Sequence, residues 1–323
     1  MPVLTDWYTK SNWLLFELRQ SVLGIASFAA CLALGQFLTS GSELSSPPLQ
    51  IKGVAATGFA PLLQLWAKNY QERTGTTCVI VALGNRLALQ QLQQRAVQFA
   101  ALDDLFVSQH TEELAEFVRV TVVSENLAIV YSLHGVSELR LSRSALVGLF
   151  TGTITNWNNF EITTANPGTL LPPTPVRLVT GVGQKSGPAC LARWLQKIDS
   201  PAANIVGRGE NVHWPGEIIA QGGEGLSAFI KSNRGSIAVV EFAYALANDL
   251  PCALIESAPG EYRSPGGVEV ERSPSNARYP LKLECKLVYR LGADSAAISG
   301  FLQFCVTGGQ DQVQSLGFDR LGK

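Results

Sequence analysis

The sequence predicts an α/β fold, because apolar strand patterns alternate with amphipathic helix patterns along most of the chain. The first such unit spans residues 51–70, where a short strand ends in a small-residue turn and a helix begins near Pro61. Proline is tolerated in the first turn of a helix, since the amide that it lacks would have no partner there. Strands that alternate with helices pack as a largely parallel sheet with helices on both faces. Such a turn at a helix N-terminus can seat an anion, although an ordinary turn without a ligand has the same pattern.

The other elements follow from β-branched runs and from helical spacing of apolar residues. Strands are predicted at residues 77–84, 99–103, 118–123, 127–133, 176–180, 235–240 and 283–289. Helices are predicted at residues 86–98, 142–150, 191–198, 222–230 and 296–306. Ser142 is the expected N-cap of its helix. Residues 151–175 and 257–278 are rich in turn-forming residues and are expected to be loops.

The composition is that of a compact globular protein. The chain has 323 residues, of which 46% are hydrophobic and 16% charged, so it is long enough for two domains with cores of their own. The net charge is −1. A nucleic-acid partner is not expected, because the sequence has neither a basic stripe nor an RNA-binding signature.

The N-terminal segment is predicted to direct the rest of the chain out of the cytoplasm. Residues 1–20 form a cytoplasmic region with cations, residues 21–38 carry no charge, and residues 39–49 read as a linker. The uncharged run suits a signal peptide or a membrane anchor. Cleavage, retention as an anchor and a lipid on Cys31 are all open, and each makes residues 50–323 periplasmic or extracytoplasmic. Contact with a membrane is expected only through this segment; a buried N-terminal helix is the alternative.

Chemistry at cysteine or histidine is not expected. The cysteines are residues 31, 78, 190, 252, 285 and 305, and the histidines are residues 110, 134 and 213. Neither set has the spacing of a metal site. Buried free thiols are the favoured interpretation for most of the cysteines, although an oxidising compartment permits disulfides. No cofactor and no enzymatic activity are predicted, because a nucleophile, a base and an orienting group are not visible together.

Six sequence blocks carry a resemblance to a known family. They are AATGFAP at residues 55–61, LFTGTITNWNN at 149–159, NPGTLLP at 166–172, VHWPGE at 212–217, GGEGLSAFI at 222–230 and GSIAVVEFAYA at 235–245. The two tryptophan blocks, in this order with the last block, are specific. Over about residues 50–323, the chain resembles the phosphate-binding proteins of phosphate ABC importers.

The resemblance implies a two-lobe periplasmic-binding-protein fold, type II-like, preceded here by the N-terminal apolar helix. Two α/β lobes of this fold close over a ligand about a hinge. Lobe one would hold residues 50–130 and 244–323, and lobe two would hold residues 131–243. The chain would cross between the lobes near residues 129–133 and 239–245.

The resemblance also implies a phosphate site, to which the first lobe contributes three segments. The family's Thr-Phe turn matches Thr57 and Gly58, which keep the hydroxyl and a backbone amide. Asn85 stands where the family has a serine, and its side chain can still donate to an oxyanion. Asp103 matches the aspartate that accepts a proton from the ligand and so excludes a fully ionised anion such as sulfate. Arg86 either supplies a cation or lies solvated at the start of its helix.

The second lobe departs furthest from the family, which has an arginine and, two residues later, an aspartate. An ungapped alignment places Gly181 and Gly183 there, so both charges are lost together. Lys185, Ser186 and Gly187 at a helix N-terminus would then contact the anion, with the lysine as a point charge. Alternatively, this lobe has stopped binding phosphate.

Together these expectations favour an extracytoplasmic substrate-binding protein that captures inorganic phosphate or a related oxyanion. Its partners would be the permease subunits of an ABC importer, on which the closed form would dock. The departures at Asn85, Gly181 and Gly183 leave one alternative, a divergent sensor or scaffold module of the same fold that has lost phosphate binding.

Overall fold

The structure is a computed structural model, and it describes residues 50–182, 185–267 and 278–320. The predictions for residues 1–49, including a lipid on Cys31, lie outside the described residues, and so does Gly183. Within the described ranges, no helix combines the length and the apolar character that a membrane crossing requires.

The first third of the described chain alternates strands and helices as predicted. Its elements are β1 (Ile51–Ala56), α1 (Ala60–Thr74), β2 (Cys78–Leu83), α2 (Asn85–Gln93), β3 (Phe99–Asp103), α3 (Asp104–Gln109) and β4 (Phe117–Tyr131). Helix α1 has Pro61 in its first turn and buries Leu62, Leu63 and Trp66. It ends at Gly75, whose φ of 73° is a left-handed conformation that glycine adopts without strain.

The middle of the chain holds shorter elements. They are β5 (Arg140–Leu141), α4 (Arg143–Phe150), α5 (Phe160–Ala165), β6 (Arg177–Gly181), α6 (Ser186–Ile198), α7 (Ala202–Val206), a 3₁₀ turn (Gly209–Asn211), β7 (Ile218–Ala220), α8 (Gly222–Ser232), β8 (Ser236–Glu241) and α9 (Phe242–Ala247). Ser142 caps α4 by accepting a hydrogen bond from the amide of Ala145 at 3.1 Å, which confirms the predicted cap. The segment 151–175, predicted as a loop, contains the short helix α5.

The last third returns to strands and ends in a helix. Its elements are β9 (Leu254–Ala258), β10 (Glu261–Arg263), β11 (Lys282–Arg290), α10 (Ala293–Val306), two 3₁₀ turns (Gly308–Gln312 and Gln314–Leu316) and β12 (Phe318–Asp319). The prediction of a loop at residues 257–278 is wrong at its start, because β9 and β10 pair there as an antiparallel hairpin.

The main sheet has nine strands, in the order β2-β1-β3-β11-β4-β8-β6-β7, with β12 paired to β4. Pairs near both edges are parallel, as predicted: β1 with β2 and β3, and β6 with β7 and β8. The prediction of a largely parallel sheet is wrong at the centre, where β11 and β4 run antiparallel to their neighbours. Two of these antiparallel pairs arise because the late strand β11 enters between β3 and β4, and the third joins the end of β4 to β8.

Strand β4 is one strand of fifteen residues, whereas the sequence predicted two shorter strands. Its first part pairs with β11, and its last five residues pair with β8. The polar residues Ser124, Glu125 and Asn126 resemble a break between strands. They continue the strand instead, because pairing on the β11 side persists through them.

The hydrophobic core lies on both faces of the sheet, as the strand periodicity requires. Phe99 and Ala101 of β3 pack in one cluster with Leu63 of α1. The alternate residue Leu102 packs in another cluster with Leu89 of α2. The five cysteines of the described chain are free thiols; four of them, Cys78, Cys190, Cys285 and Cys305, are buried and Cys252 is partly buried. This agrees with the interpretation that the sequence favours for most of the cysteines, which is buried free thiols.

Candidate functional site

Three of the predicted site residues meet, although they come from distant parts of the chain. The Asn85 side chain donates from Nδ2 to Asp103 Oδ2 at 2.5 Å. Ser186 Oγ donates to the same carboxylate oxygen at 2.6 Å. Asn85 Nδ2 also lies 3.4 Å from Ser186 Oγ. A carboxylate, an amide and a hydroxyl are therefore held together where the N-termini of α2 and α6 approach the end of β3.

The end of β3 fixes the position of the Asp103 carboxyl. Asp103 is 2% exposed and is the N-cap of α3, because its Oδ1 accepts from the amide of Phe106 at 2.7 Å. Asp104 beside it faces elsewhere. Its Oδ1 accepts from the amide of Glu284 at 2.8 Å, and its Oδ2 lies 3.7 Å from Arg193 Nη2. Only the first of the two adjacent aspartates therefore belongs to the cluster with Asn85 and Ser186.

The turn between β1 and α1, which holds Thr57 and Gly58, places Gly58 beside the side chains of Glu125 and Glu241. Thr57 is exposed and Gly58 is partly exposed. A Cβ atom on Gly58 would lie 3.3 Å from Glu125 Oε2 and 3.4 Å from Glu241 Cγ. A phenylalanine, which the resemblance expects at Gly58, would begin in close contact with the two glutamate side chains, which would have to give way slightly. Glycine leaves room for both side chains beside the turn.

Glu125 and Glu241 are site residues that the sequence analysis missed. Glu125 lies in the middle of β4, is 1% exposed, and its Oε1 has no hydrogen-bond partner within the described residues. Burial first, and the neighbouring Glu241 second, raise the pKa of Glu125 well above its usual value. Glu241 ends β8 and is partly exposed. Burial also raises the pKa of Glu241, with a smaller contribution from Asp103 and an opposing hydrogen bond from its own backbone amide.

The start of α6 holds the predicted site residues that come from the middle of the chain. Lys185 is the N-cap residue and is exposed, Ser186 begins the helix, and Gly187 is buried. A Cβ on Gly187 would lie 3.7 Å from the carbonyl oxygen of Val239, so the helix start packs closely on β8. Gly181 ends β6, and no guanidinium can come from that position. Of these residues, Ser186 is the one whose side chain reaches Asp103.

Arg86 takes the solvated alternative. Its Nη1 lies 2.9 Å from Glu113 Oε2, and both side chains are about half exposed. Its Nη2 also contacts the ring of His110, and its guanidinium lies over the ring of Phe106 at 5.3 Å. The positive charge is thus engaged on the outer surface, and it does not contact Asp103.

The histidines lie away from this cluster. The ring of His110 stacks on Phe106 with centroids 4.0 Å apart, His134 is exposed, and His213 Nδ1 lies 3.6 Å from Glu217 Oε1. In the described part of the chain, no group of three or more His, Cys, Asp or Glu side chains is placed to hold a metal ion. The Ser186 hydroxyl donates to the Asp103 carboxylate and not to an imidazole.

The arrangement suits an oxyanion that carries a proton. The Asn85 amide, the Ser186 hydroxyl and the amides at the N-termini of α1, α2 and α6 are donors to an anion. An ionised Asp103 repels a fully ionised anion but accepts a hydrogen bond from a protonated one. The carboxyls of Glu125 and Glu241 oppose an anion when ionised and can donate to it when protonated.

Comparison with known proteins agrees with this fold. Residues 41–308 match the family model of the PBP superfamily domain. The chain is 26% identical over 265 residues to the phosphate-binding protein PstS of Xylella fastidiosa strain 9a5c, covering 81% of this chain and 72% of the relative. It is 28% identical over 252 residues to PstS of Pasteurella multocida, covering 75% of this chain and 71% of the relative.

Solved structures share the architecture at low sequence identity. A putative phosphate ABC transporter substrate-binding protein with bound phosphate from Clostridium perfringens has a TM-score of 0.59 at 15% identity, covering 84% of this chain and 99% of that chain. A human phosphate binding apolipoprotein has a TM-score of 0.61 at 16% identity, covering 84% of this chain and 91% of that chain. The α/β fold seen here is therefore that of these binding proteins, and the chain belongs to the PBP superfamily.

Proposed function

We propose that this chain is an extracytoplasmic substrate-binding protein that captures inorganic phosphate, or a related oxyanion, for an ABC importer. The observation that carries the proposal is the meeting of Asn85, Asp103 and Ser186, three positions that the family resemblance assigned to ligand contacts. Relatives that bear the name phosphate-binding protein support the same reading.

In this proposal, neutral donors replace the family's arginine. Thr57, Gly58, Asn85, Ser186 and Gly187 would surround the ligand with hydroxyl, amide and helix-terminal N–H groups. Such groups stabilise an anion without a full counter-charge, because the helix dipole and the free amides point the same way. Lys185 would add a point charge near the rim of the site.

Asp103 would discriminate between ligands that carry a proton and ligands that do not. Its Oδ2 now accepts from Asn85 and Ser186, so a ligand that enters here exchanges these internal hydrogen bonds for its own. Hydrogen phosphate can donate to this oxygen, whereas sulfate at neutral pH has no proton to donate and meets an uncompensated carboxylate.

Titration calorimetry of the protein with phosphate, with sulfate as the matched control anion, tests the proposal. We expect saturable binding of phosphate and none of sulfate. Asp103→Asn should weaken phosphate binding by about 10- to 100-fold, since a hydrogen bond to a charged group contributes about 1.5–3 kcal/mol. It should also relax the rejection of sulfate. No heat with either anion, together with no shift in melting temperature, would contradict the proposal.

A second candidate is a sensor or scaffold module of the same fold that no longer binds phosphate. The glutamates beside Gly58 favour it, because ionised carboxyls oppose an anion and position 181 provides no arginine. Expression of the full chain in cells that lack their own phosphate-binding protein separates the two candidates. Restored phosphate uptake would exclude the second candidate, whereas no uptake together with no binding of phosphate by the purified protein would favour it.

The remaining expectations belong to the same proposal. The two lobes, residues 50–130 with 244–323 and residues 131–243, would close over the ligand as rigid bodies about the centre of the sheet. The permease subunits would be the partners, the N-terminal segment would provide any contact with the membrane, and no catalytic step is assigned to the site.

A further inference from the structure

Glu125 is a buried carboxyl that the proposed ligand contacts do not use. Its side chain is 1% exposed, and its Oε1 lacks a hydrogen-bond partner within the described residues. Its other oxygen, Oε2, approaches the turn at Gly58, where an added Cβ would be 3.3 Å away. Buried polar atoms without partners are rare in folded proteins and need an explanation. Here the unpartnered carboxyl faces the turn that carries Thr57 and Gly58.

The groups around Glu125 and Glu241 are mostly acidic. Glu241, at the end of β8, acts on Glu125, and Asp103, at the end of β3, acts on Glu241. Cys285 on β11 lies close enough to Glu125 and Asp103 for both to raise the pKa of its thiol, after burial as the main cause.

The other elements packed here bring little positive charge. On α9, the phenol of Tyr244 donates to the carbonyl oxygen of Gly223, and burial, with a smaller contribution from Glu241, raises its pKa. Lys282 of β11 and Asp319 of β12, beside β4, are paired with each other at 2.6 Å. Lys286 of β11 pairs with Glu284 at 2.9 Å. In the described part of the chain, no basic group is among those that shift the pKa of Glu125 or of Glu241.

A cation does not account for this cluster. No three acidic, histidine or cysteine side chains are placed to ligate one metal ion within the described residues. A protonated carboxyl accounts for it better, because a neutral acid can be buried beside other carboxyls and becomes an O–H donor. Burial raises the pKa of Glu125, which favours the protonated form of this side chain. A donor at this place is what an oxyanion site needs when position 181 offers no arginine.

We propose that Glu125 contacts the bound oxyanion as a neutral carboxylic acid that donates its proton into a hydrogen bond, so that capture of the ligand is linked to the protonation of this side chain. The inference rests on the proposed function, because phosphate is the ligand. The proton stays on Glu125, and no bond other than hydrogen bonds forms or breaks. If Glu125 is ionised in the free protein, binding takes up one proton from the solvent.

Two predictions separate this role from a structural one. Phosphate affinity of the native protein should fall by about tenfold for each pH unit above the pKa of Glu125, because the ionised side chain must first regain its proton. Glu125→Gln should remove this dependence, since its amide is nearly isosteric with the neutral acid and donates at every pH. The change of phosphate's own charge with pH affects both proteins equally and cancels in the ratio of their dissociation constants.

The experiment is calorimetric titration of the full-length native protein, Glu125→Gln and Glu72→Gln with inorganic phosphate between about pH 6 and about pH 9, a range chosen to span the pKa of a buried glutamate. Glu72 lies on the outer side of α1, where its carboxylate pairs with Lys68 at 4.0 Å, so this variant controls for the loss of one charge. Thermal unfolding of each variant at about pH 6 confirms that it is folded.

The expected result is equal affinity of the native protein and Glu125→Gln at the acidic end, and tighter binding by Glu125→Gln at the alkaline end. Glu72→Gln should follow the native protein throughout. Identical pH profiles for the native protein and Glu125→Gln would overturn the inference and leave the proposed function standing. Weaker binding by a folded Glu125→Gln at every pH would also overturn it, because Glu125 would then be an acceptor. Absence of phosphate binding by all three proteins would overturn the proposed function, and the inference with it.

Discussion

The end of β3 and the middle of β4 each bury one carboxyl in the same sheet, with β11 between them. At the end of β3, Asp103 accepts hydrogen bonds from a backbone amide, an amide side chain and a hydroxyl. In the middle of β4, Glu125 Oε1 has no hydrogen-bond partner within the described residues, and the charged group that acts on this side chain is the carboxyl of Glu241. The two side chains have almost the same chemistry and nearly the same burial.

The difference teaches that donors, and not burial alone, decide what a carboxyl can do in this sheet. Three donors reach the Asp103 carboxyl, which acts as an acceptor in the fold and can accept a hydrogen bond from a ligand that carries a proton. With Oε1 lacking a hydrogen-bond partner within the described residues, Glu125 is favoured as a neutral acid, whose O–H can donate to an anion. Asp103 at the end of β3 would thus accept a hydrogen bond from a protonated anion, whereas Glu125 in β4 would donate one to it.

The largest effect on stability is expected when the acceptor that three donors share is removed. Asp103→Ala removes the N-cap of α3 and leaves the donors of Asn85 and Ser186 without their acceptor. The free energy of unfolding should fall by about 2–4 kcal/mol, the sum of a cap and of two unpaired donors. Urea denaturation measures it, and Ser142→Ala, which removes a cap that has no site contact, should lose only about 1 kcal/mol. Equal losses of unfolding free energy in the two variants would show that Asp103 stabilises the fold only as a helix cap.

The second effect concerns the pH dependence of stability. Because burial and Glu241 raise the pKa of Glu125 above its value in the unfolded chain, the folded state keeps this proton to higher pH. The free energy of unfolding should therefore fall as pH rises from the usual glutamate range to the raised pKa, by at most about 1.4 kcal/mol per pH unit. Glu125→Gln should flatten this fall, so its advantage in melting temperature over the native protein grows with pH.

Glu284 on β11 provides a control of opposite sign. A hydrogen bond from Lys286 lowers the pKa of Glu284, so its contribution to stability is present above the usual glutamate pKa and is lost as pH falls through the lowered value. Glu284→Gln should therefore melt below the native protein at pH values above the usual glutamate pKa, and the two melting temperatures should converge on the acidic side. Parallel curves for the native protein and Glu125→Gln on the alkaline side would contradict the contrast between β3 and β4.

A smaller effect, on phosphate affinity, is expected from loss of the hydrogen bond between Ser186 of α6 and Asp103 of β3. Ser186→Ala removes one hydroxyl that donates to Asp103 at 2.6 Å. Phosphate affinity should fall about 2- to 12-fold, the equivalent of one hydrogen bond of about 0.5–1.5 kcal/mol. Ser299→Ala, whose hydroxyl bonds only within α10 to the carbonyl of Ala296, should bind phosphate as the native protein does. Calorimetric titration of both variants decides whether α6 contributes to binding.

The smallest effect is expected at Arg86. Its ion pair with Glu113 is about half exposed, and such surface pairs contribute little to stability. Arg86→Ala should leave the dissociation constant for phosphate unchanged and shift the melting temperature only slightly. A marked loss of phosphate affinity in this variant, measured by the same titration, would show that Arg86 contributes to the binding site.

Much of this architecture can be predicted from the sequence where local pattern and tertiary structure agree. The alternation in residues 51–103 gives the strands and helices of the first third, and Ser142 is recognisable as a cap from its type and position. The resemblance to a binding-protein family also brings forward Asn85, Asp103 and Ser186, which lie far apart in sequence and meet in the fold.

The glutamates beside the turn could not be predicted in the same way. Glu125 lies in the triplet Ser124-Glu125-Asn126, which has the composition of a turn, and only pairing with the late strand β11 makes it part of a strand. Read as one strand, the apolar run on either side would have marked Glu125 as a buried charge. Gly58 gave no local signal either, because its small size matters only through Glu125 and Glu241, which come from elsewhere in the chain.

The buried thiols give this chain an internal reporter of its own opening. Burial raises the pKa of Cys78 and Cys190 to about 12 and that of Cys252 to about 11, so very little reactive thiolate forms while the protein is folded. Alkylation of these residues must then wait for the surrounding core to open, and its rate measures how often that happens. If phosphate stabilises the closed protein, the ligand will slow the modification of cysteines that it never touches.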